Sequence, residues 1–148
     1  MITYSAPDLT QHPPRSGRVT LGGFVHLPRL LDKARAHLAG KAGEYDYNCG
    51  MDKNFFNFTG IDHKEFLAEV KKGRTDSQMN SWVKKKAKKC PSEIRAWSEW
   101  LSQRGPGGTD GHAWMSGVIK KIGEDREDVT TFFDLLDLDD YVCFGGKG

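Results

Sequence analysis

The amino-acid sequence predicts a mainly α-helical protein, a single compact domain of six or seven short helices with little or no strand. Apolar residues recur at the three- and four-residue spacings of a helix face along most of the chain. Residues that favour helix starts and helix ends separate these segments, whereas stretches of alternating apolar and polar residues are almost absent. A chain of 148 residues is also long enough to bury one sizeable core.

The clearest helix is expected from about Leu27 to Ala39. Pro28 has the fixed φ that suits a first helical turn, and Gly40 suits the left-handed position that follows many helices. The apolar face of this helix consists of Leu30, Leu31, Ala34 and Leu38. The charged residues that fall largely on its other side are Arg29, Asp32, Lys33 and Arg35. Polar loops flank this helix at both ends, so we expect it to organise the chain.

Three further helices are expected in the middle of the chain. A short one over residues 51–59 carries three phenylalanines and is stopped by Gly60. Phenylalanines at this density are more often core residues than a binding platform. Two capping boxes, in which paired side chains satisfy backbone N–H groups at a helix start, open the next two helices. The paired residues are Asp62 with Glu65 and Thr75 with Gln78.

The last third of the chain is expected to hold three more helices. One begins at Pro91 and closes at Gly105. A flexible, glycine-rich segment over residues 104–112 follows it, and the next helical face runs from Trp114 to Ile122. The final helix is expected from about Glu127 to Asp137, where several acidic residues lie at its end.

The two ends of the chain are expected to be irregular. Residues 1–20 form an N-terminal arm that Pro13-Pro14 keeps extended, and residues 141–148 form a C-terminal tail. Between these ends, large aromatic residues are expected to anchor the packing of the second half of the chain. These residues are Trp82, Trp97, Trp100 and Trp114.

Composition and charge exclude several classes of protein. Charged residues make up 28% of the chain and hydrophobic residues 37%, which is typical of a globular protein rather than a disordered or membrane-spanning one. The net charge of +2 is unevenly divided. Residues 1–123 carry 20 Lys and Arg against 12 Asp and Glu, whereas residues 124–148 carry 2 against 8. We therefore expect the acidic C-terminal segment to lie against the basic body, which leaves little net field for a polyanion.

The cysteine and histidine patterns indicate the compartment and argue against a bound metal. Three scattered cysteines, Cys49, Cys90 and Cys143, do not form a disulfide framework. The N-terminus lacks the basic and apolar regions of a secretory signal, so a cytoplasmic location is expected. The five histidines show no paired spacing with each other or with cysteine, and neither a metal nor a cofactor is predicted.

Two polar segments beside the first helix form the candidate binding surface. Before the helix, Arg15 and Arg18 accompany Arg29 and the backbone N–H groups of the helix start, a combination suited to an anion. After the helix, the candidate residues are Tyr45, Tyr47, Asn48 and Cys49. No phosphate-loop motif is present. Under the alternative interpretation, the arginines are solvated and the two tyrosine rings are simply buried.

Three functions are consistent with these patterns. The leading hypothesis is a small binding or interaction domain that recognises an anionic ligand or an acidic partner. The alternative is an enzyme that uses Cys49 or the nearby carboxylates, with His26 or His112 approaching the thiol as a base. Nucleic-acid binding through Lys84–Lys89 is less favoured, because lysines also complement the end of a helix and this run lacks interleaved aromatic residues.

The chain resembles a family of small bacterial proteins catalogued only as a domain of unknown function. The likeness rests on DLTQHPPRSGRVTLGG, LPRLLDKARAHLAGKAGEYDYNC and the later FTGID, and it is strongest between Asp8 and Asp62. The family pattern leads us to expect proline at the positions of Gly17 and Gly50, where this chain differs. The resemblance implies a bacterial, cytoplasmic protein and supplies no activity, cofactor or catalytic residue.

Overall fold

In the computed structural model, which describes residues 3–123 and 126–148, seven helices accompany one short β-hairpin. The helices are α1 (Leu27–Leu38), α2 (Gly50–Thr59), α3 (His63–Lys71), α4 (Asp76–Ala87), α5 (Pro91–Gln103), α6 (Gly108–Ile122) and α7 (Phe132–Cys143). The hairpin pairs β1 (Thr20–Leu21) with β2 (Phe24–Val25) in antiparallel register. The predicted mainly α-helical fold with little strand is confirmed. None of the helices in the described ranges is long and apolar enough to cross a membrane.

Helix α1 is buried on almost every side. Nine of its 12 residues are buried, and it contacts α3 and β1. The charged residues Arg29, Asp32 and Lys33 are therefore buried together with the leucines instead of lying on a solvated face. A buried charge is stable only with a partner of opposite charge. Other segments must consequently supply acids and bases around α1.

Aromatic rings form the main core beside this helix. The ring of Phe55 lies 5.5 Å from Phe24, 6.0 Å from Phe66 and 6.1 Å from Trp97, measured between centroids, and all three contacts are edge-to-face. Pairs of this kind contribute about 0.5–1.5 kcal/mol each beyond the burial of their surface. Phe55 is fully buried and Phe56 is 7% exposed, so the prediction that the α2 phenylalanines belong to the core is confirmed.

The tryptophans share this core only in part. Trp97 is buried and Trp82 is half-buried, whereas Trp100 is 48% and Trp114 57% exposed. The guanidinium of Arg104 lies 4.8 Å from the ring centroid of Trp100 and covers one face of it. The prediction that all four tryptophans anchor the second half is therefore wrong for Trp100 and Trp114.

Helix α7 starts and ends later than the sequence predicted. The hydroxyl of Thr131 accepts a hydrogen bond from the backbone N–H of Asp134, whose carboxylate accepts one from the N–H of Thr131, both at 3.1 Å. This capping box fixes the helix start five residues beyond Glu127. The helix then continues through Cys143, so only residues 144–148 remain of the predicted tail.

Helix α6 begins at Gly108, inside the segment that was predicted to be a flexible loop. That connection is therefore limited to residues 104–107. The helix packs on α7 and forms a second, smaller core with it. The buried members of this core are Met115, Ile119, Val129 and Leu138.

The acidic C-terminal segment lies against the basic body, as its charge led us to expect. Arg18 forms ion pairs with Asp134 and Asp137 on α7. One turn further along the same helix, Asp140 pairs with Arg29 of α1 at 2.7 Å. These contacts explain how α7 carries acids at its C-terminal end, where a helix dipole disfavours them.

Gly17 permits the close packing of α7 on the N-terminal arm. A Cβ atom at this position would lie 2.6 Å from Cε1 of Phe133, closer than two carbon atoms approach. The proline that the family likeness led us to expect here would place a side chain in that space. The smaller residue therefore matches the position of the Phe133 ring in this chain.

Candidate functional site

A cavity of about 510 Å³ opens between α1, residues 43–46, the start of α2 and the end of α7. We call it the α1–α7 cavity. Arg29, Tyr45 and Cys49 line it together, so the structure brings residues from the helix and from the loop that follows it to one hollow. Polar and aromatic side chains on a loop that is held by a rigid helix are a common arrangement for binding.

Arg29 is tied to α7 on one side of the cavity. Its guanidinium donates to both carboxylate oxygens of Asp140, at 2.7 and 3.2 Å. The hydroxyl of Tyr45 donates to the same carboxylate at 2.8 Å, and the Arg29 guanidinium lies 5.5 Å from the Tyr45 ring centroid. Burial raises the pKa of Tyr45, and its hydrogen bond to Asp140 adds to the effect. The phenol therefore remains a hydrogen-bond donor at neutral pH.

The carboxylate of Asp52 is the centre of a second cluster, behind the cavity. It is fully buried and accepts hydrogen bonds from His26 Nε2 at 2.7 Å, from Lys33 Nζ at 2.8 Å and from the backbone N–H groups of Asn48 and Cys49 at 2.9 and 3.2 Å. Burial opposes ionisation, but the hydrogen bond from His26 and the charge of Lys33 outweigh it and lower the pKa of Asp52 to about 2. The group is therefore a carboxylate at neutral pH.

Cys49 occupies the residue immediately before α2. Its backbone is extended, with φ −73° and ψ 178°. Its Sγ atom lies 3.2 Å from Lys33 Nζ, and Lys33 is one helical turn from Arg29, so both side chains leave α1 on the same face. Sγ thus faces an ammonium group and the positive end of a helix dipole.

His26 combines two unfavourable features in one residue. Its backbone is left-handed, with φ 69°, a conformation that costs a residue with a side chain roughly 1–2 kcal/mol. Its ring is fully buried, stacks on Phe133 with centroids 6.1 Å apart, and lines the cavity. The Nδ1 atom has no hydrogen-bond partner among the described residues. Strained and unsatisfied groups of this kind concentrate at functional sites.

The protonation state of His26 follows from its neighbours. Because the ionised carboxylate of Asp52 can only accept, the proton must reside on Nε2. Burial lowers the pKa of His26, against the opposing pull of Asp52, so the ring is neutral near pH 7. Its Nδ1 atom is then a buried acceptor without a donor among the described residues.

The other predicted arginines lie elsewhere. Arg15 bonds to Asp32 through its backbone N–H at 2.9 Å and its Nε at 3.0 Å, and to Asp76 through Nη1 at 2.8 Å. Arg35 pairs with Asp76 on the same side of α1 at 2.9 Å. Arg18 pairs with α7 outside the cavity. Neither Arg15 nor Arg18 lines the hollow that holds Arg29.

Two residues of the predicted loop shape the site without lining it. The hydroxyl of Tyr47 donates to the backbone carbonyl of His63 at 2.7 Å, and its ring packs edge-on against Phe56. Asn48 has a left-handed backbone with φ 64°, which turns the chain so that its N–H reaches Asp52. They hold the start of α2 in place beside α1.

Sequence reasoning named His26 only as a possible base and left Lys33 and Asp52 out of the predicted site. One feature of the sequence pointed to Lys33, which lies four residues after Arg29 and therefore on the same helical face. Asp52 also had a signal, since it lies three residues after Cys49, where an acid caps a helix start. Their convergence depends on the packing of α2 against α1, which no local pattern reveals.

The outer part of the cavity is acidic. Glu44, Asp46 and Asp139 contribute to its lining, and no cation pairs with these three carboxylates among the described residues. No group of three or more His, Cys, Asp or Glu side chains in the described ranges is placed to hold a metal ion. Unpaired carboxylates favour positive charge in this part of the cavity.

The model of one protein family, described as a domain of unknown function and designated DUF5069, matches residues 11–142. No curated protein matches the chain. The matched segment contains all of the Asp52 contacts and most of the cavity lining.

Proposed function

We propose that this chain, which belongs to the DUF5069 family, binds a small organic molecule in the α1–α7 cavity. The observation that supports this function is His26, a lining residue of the cavity whose buried Nδ1 has no partner among the described residues. A buried polar atom without a hydrogen bond costs about 1–3 kcal/mol. A ligand that donates to Nδ1 would recover that free energy on binding.

The surroundings of the cavity define the chemistry of the ligand. Lys33 can donate a further hydrogen bond to a carbonyl or carboxylate oxygen. The apolar parts of the lining are contributed by Leu9, Met51, Leu136 and Phe144. The acids at the mouth favour a positively charged group. The best complement is a molecule with an acyl or carboxylate head, an apolar middle and an ammonium end.

This proposal restricts the class of ligand that the sequence predicted, an anionic molecule or an acidic partner. Arg29 and Lys33 supply two cations, but Asp140 and Asp52 already neutralise them. Three further acids at the mouth then repel a ligand with several negative charges. An anionic head group is compatible with the site, whereas an acidic protein surface or a polyanion is not favoured there.

The lysine run does not contribute to this site. Lys84 and Lys89 line a different hollow of about 460 Å³, next to α5. The Nζ atom of Lys89 lies 5.0 Å from the ring centroid of Phe58, and Lys88 ends α4 in a left-handed conformation. These positions favour the interpretation of the run as a solvated helix end over a nucleic-acid surface.

The two thiols at the cavity provide a direct test of binding. Cys49 and Cys143 line it, whereas Cys90 lies outside it and is exposed. We expect ε-aminocaproate to raise the melting temperature and to slow alkylation of Cys49 and Cys143 by iodoacetamide. The rate at Cys90 should be unchanged. Caproate lacks the ammonium group and hexylamine lacks the acyl head, so both should protect less.

Matched variants separate cavity binding from surface effects. Leu136→Trp adds bulk inside the cavity and should abolish protection by ε-aminocaproate. Gln103→Trp adds the same bulk to an exposed residue of α5 and should leave protection intact. The proposed function is wrong if none of the three compounds slows alkylation, or if Cys90 is protected to the same degree as Cys49.

A further inference from the structure

We propose that Cys49 is a nucleophile that takes an acyl group from the molecule bound in the α1–α7 cavity, and that His26 is the general base that releases the acyl group to water. The inference rests on the proposed binding function and adds a reaction to it. The substrate class is a small ester or thioester, preferably one with an ammonium group distant from the acyl carbon. The products are the carboxylate and the free alcohol or thiol.

The position of Cys49 meets the requirements of a nucleophile. Cys49 is half-buried and lines the cavity, and its Sγ atom lies 3.2 Å from Lys33 Nζ. An adjacent cation and a helix start are two arrangements that activate thiols in proteins. Cys90 also precedes a helix, but its sulfur contacts the hydroxyl of Ser92 at 3.2 Å and no ammonium group among the described residues. Cys90 therefore serves as an internal control for the reactivity of Cys49.

The start of α2 also offers hydrogen bonds to the reacting group. The backbone N–H groups of Asn48 and Cys49 are taken by Asp52. Those of Gly50 and Met51, the next two residues, have no acceptor among the described residues, as is usual in a first helical turn. Free N–H groups beside a nucleophile can stabilise the oxyanion of a tetrahedral intermediate.

His26 provides an independent indication that water or substrate reacts here. Asp52 holds the ring through Nε2, which leaves Nδ1 unprotonated in a ring that lines the same cavity as Cys49. A carboxylate that orients a histidine in this way fixes the tautomer that a general base requires. In this scheme Lys33 and Asp52 are positioning residues.

The reaction balances without an external oxidant or cofactor. In acylation, the Cys49 thiolate attacks the carbonyl carbon and an S–C bond forms. The ester C–O bond, or the C–S bond of a thioester, breaks, and the departing alkoxide or thiolate takes a proton from solvent. In deacylation, Nδ1 of His26 removes a proton from water, the resulting hydroxide attacks the thioester carbon, and the S–C bond breaks to restore the thiolate. The protonated His26 then returns its proton to solvent.

The test uses p-nitrophenyl acetate with the full chain. We expect a burst of p-nitrophenolate, one acetyl group on Cys49 by peptide mass spectrometry, and a slower steady release of acetate. Acetylation of Cys49 should exceed that of Cys90 by about tenfold or more. Cys49→Ala should remove the burst, whereas Cys90→Ser should keep it. An acetyl group spread equally over the cysteines, or found mainly on Cys90, overturns the inference.

The role of His26 requires its own measurement. His26→Gln retains an N–H near the position of Nε2 but lacks the Nδ1 atom, so acetylation should persist while deacylation slows by about a hundredfold. Hydroxylamine, which needs no base, should then release the trapped acetyl group. If the variant does not fold, the pH dependence of deacylation in the wild-type chain still tests the role of His26. Its deacylation rate must fall with decreasing pH, at a midpoint below the ordinary histidine value, and a flat profile rejects His26 as the base.

The results also distinguish this inference from the proposed binding function. Protection of Cys49 by ε-aminocaproate without acetyl transfer supports binding and rejects catalysis. Acetyl transfer to Cys49 without any protection supports the nucleophile and rejects the proposed ligand chemistry. Loss of the burst in Leu136→Trp, with its retention in Gln103→Trp, locates the reaction in the cavity.

Discussion

Two ionic clusters contact α1, one through Asp32 and the other through Lys33, and they differ in how completely their polar atoms are satisfied. The Arg15 cluster consists of Arg15, Asp32, Arg35 and Asp76. The Asp52 cluster consists of His26, Lys33, Cys49 and Asp52. The central carboxylate is equally inaccessible in both, since Asp32 is 1% and Asp52 0% exposed. Burial of charge alone therefore does not mark a functional site.

The difference lies in what surrounds each carboxylate. In the Arg15 cluster two guanidinium groups face two carboxylates, and none of its side-chain atoms is among the buried, unpartnered atoms of the described residues. The Asp52 cluster borders a cavity, contains a left-handed histidine and leaves Nδ1 without a donor. The first arrangement serves to join the N-terminal arm to α1 and α4. The second arrangement leaves a buried acceptor unpaired, and a hydrogen bond from a ligand can offset the free energy that this costs.

The largest difference between the clusters should appear when each central carboxylate is neutralised. Asp52→Asn leaves the buried Lys33 ammonium without a counter-charge, so we expect a loss of about 3–5 kcal/mol in the free energy of unfolding. Asp32→Asn should cost less, because Arg15 is 29% exposed and retains Asp76. Urea denaturation of both variants measures the contrast. Equal losses would show that the two clusters do not differ energetically.

The pH dependence of stability should distinguish the clusters next. The pKa of His26 is lowered by burial from 6.5, so the unfolded chain binds a proton first and stability falls as the pH drops below that value. The pKa of Asp52 is lowered from 3.8 to about 2, so its contribution, on the order of 2.5 kcal/mol, is complete above pH 3.8 and is lost as the pH falls toward 2.

The Arg15 cluster contains no histidine, so the decline that begins near pH 6.5 should belong to the Asp52 cluster. Melting temperatures recorded from pH 8 to pH 4, a range of about four units, measure this effect. His26→Gln should remove the first decline, whereas Arg15→Gln should leave it unchanged. A wild-type profile that stays flat down to pH 4.5 or so would contradict a neutral, buried His26.

The same contrast explains what the sequence could and could not predict. Helix periodicity and capping boxes predicted the architecture and the limits of α1, because these signals act within a few residues. The three acids at the end of α7, Asp137, Asp139 and Asp140, also indicated a basic partner. The packing of Arg29 and Lys33 was not accessible, because both are charged residues that a helical wheel places at a surface until α2 and α7 cover them.

The candidate site was predicted in part for the same reason. Arg29, Tyr45 and Cys49 do share one cavity, and the signals that named them were local. Arg15 and Arg18 carried an equal signal, but each found carboxylates far away in the chain, at Asp76 and Asp134. Whether an arginine is free for a ligand depends on long-range pairing, which a single sequence does not encode in any local pattern.

The smallest expected effect concerns the exposed ion pairs that hold α7 outside the cavity. Arg18 is 46% exposed and pairs with Asp134 and Asp137, so Arg18→Gln should lower the free energy of unfolding by less than about 1 kcal/mol. Salt should screen this contribution, and the difference from wild type should shrink further at about 1 M ionic strength. Arg29→Gln strands the buried carboxylate of Asp140 and should cost several times more, at every salt concentration. A cost at Arg18 as large as that at Arg29 would mean that the surface pairs, rather than the wall of the cavity, hold α7 in place.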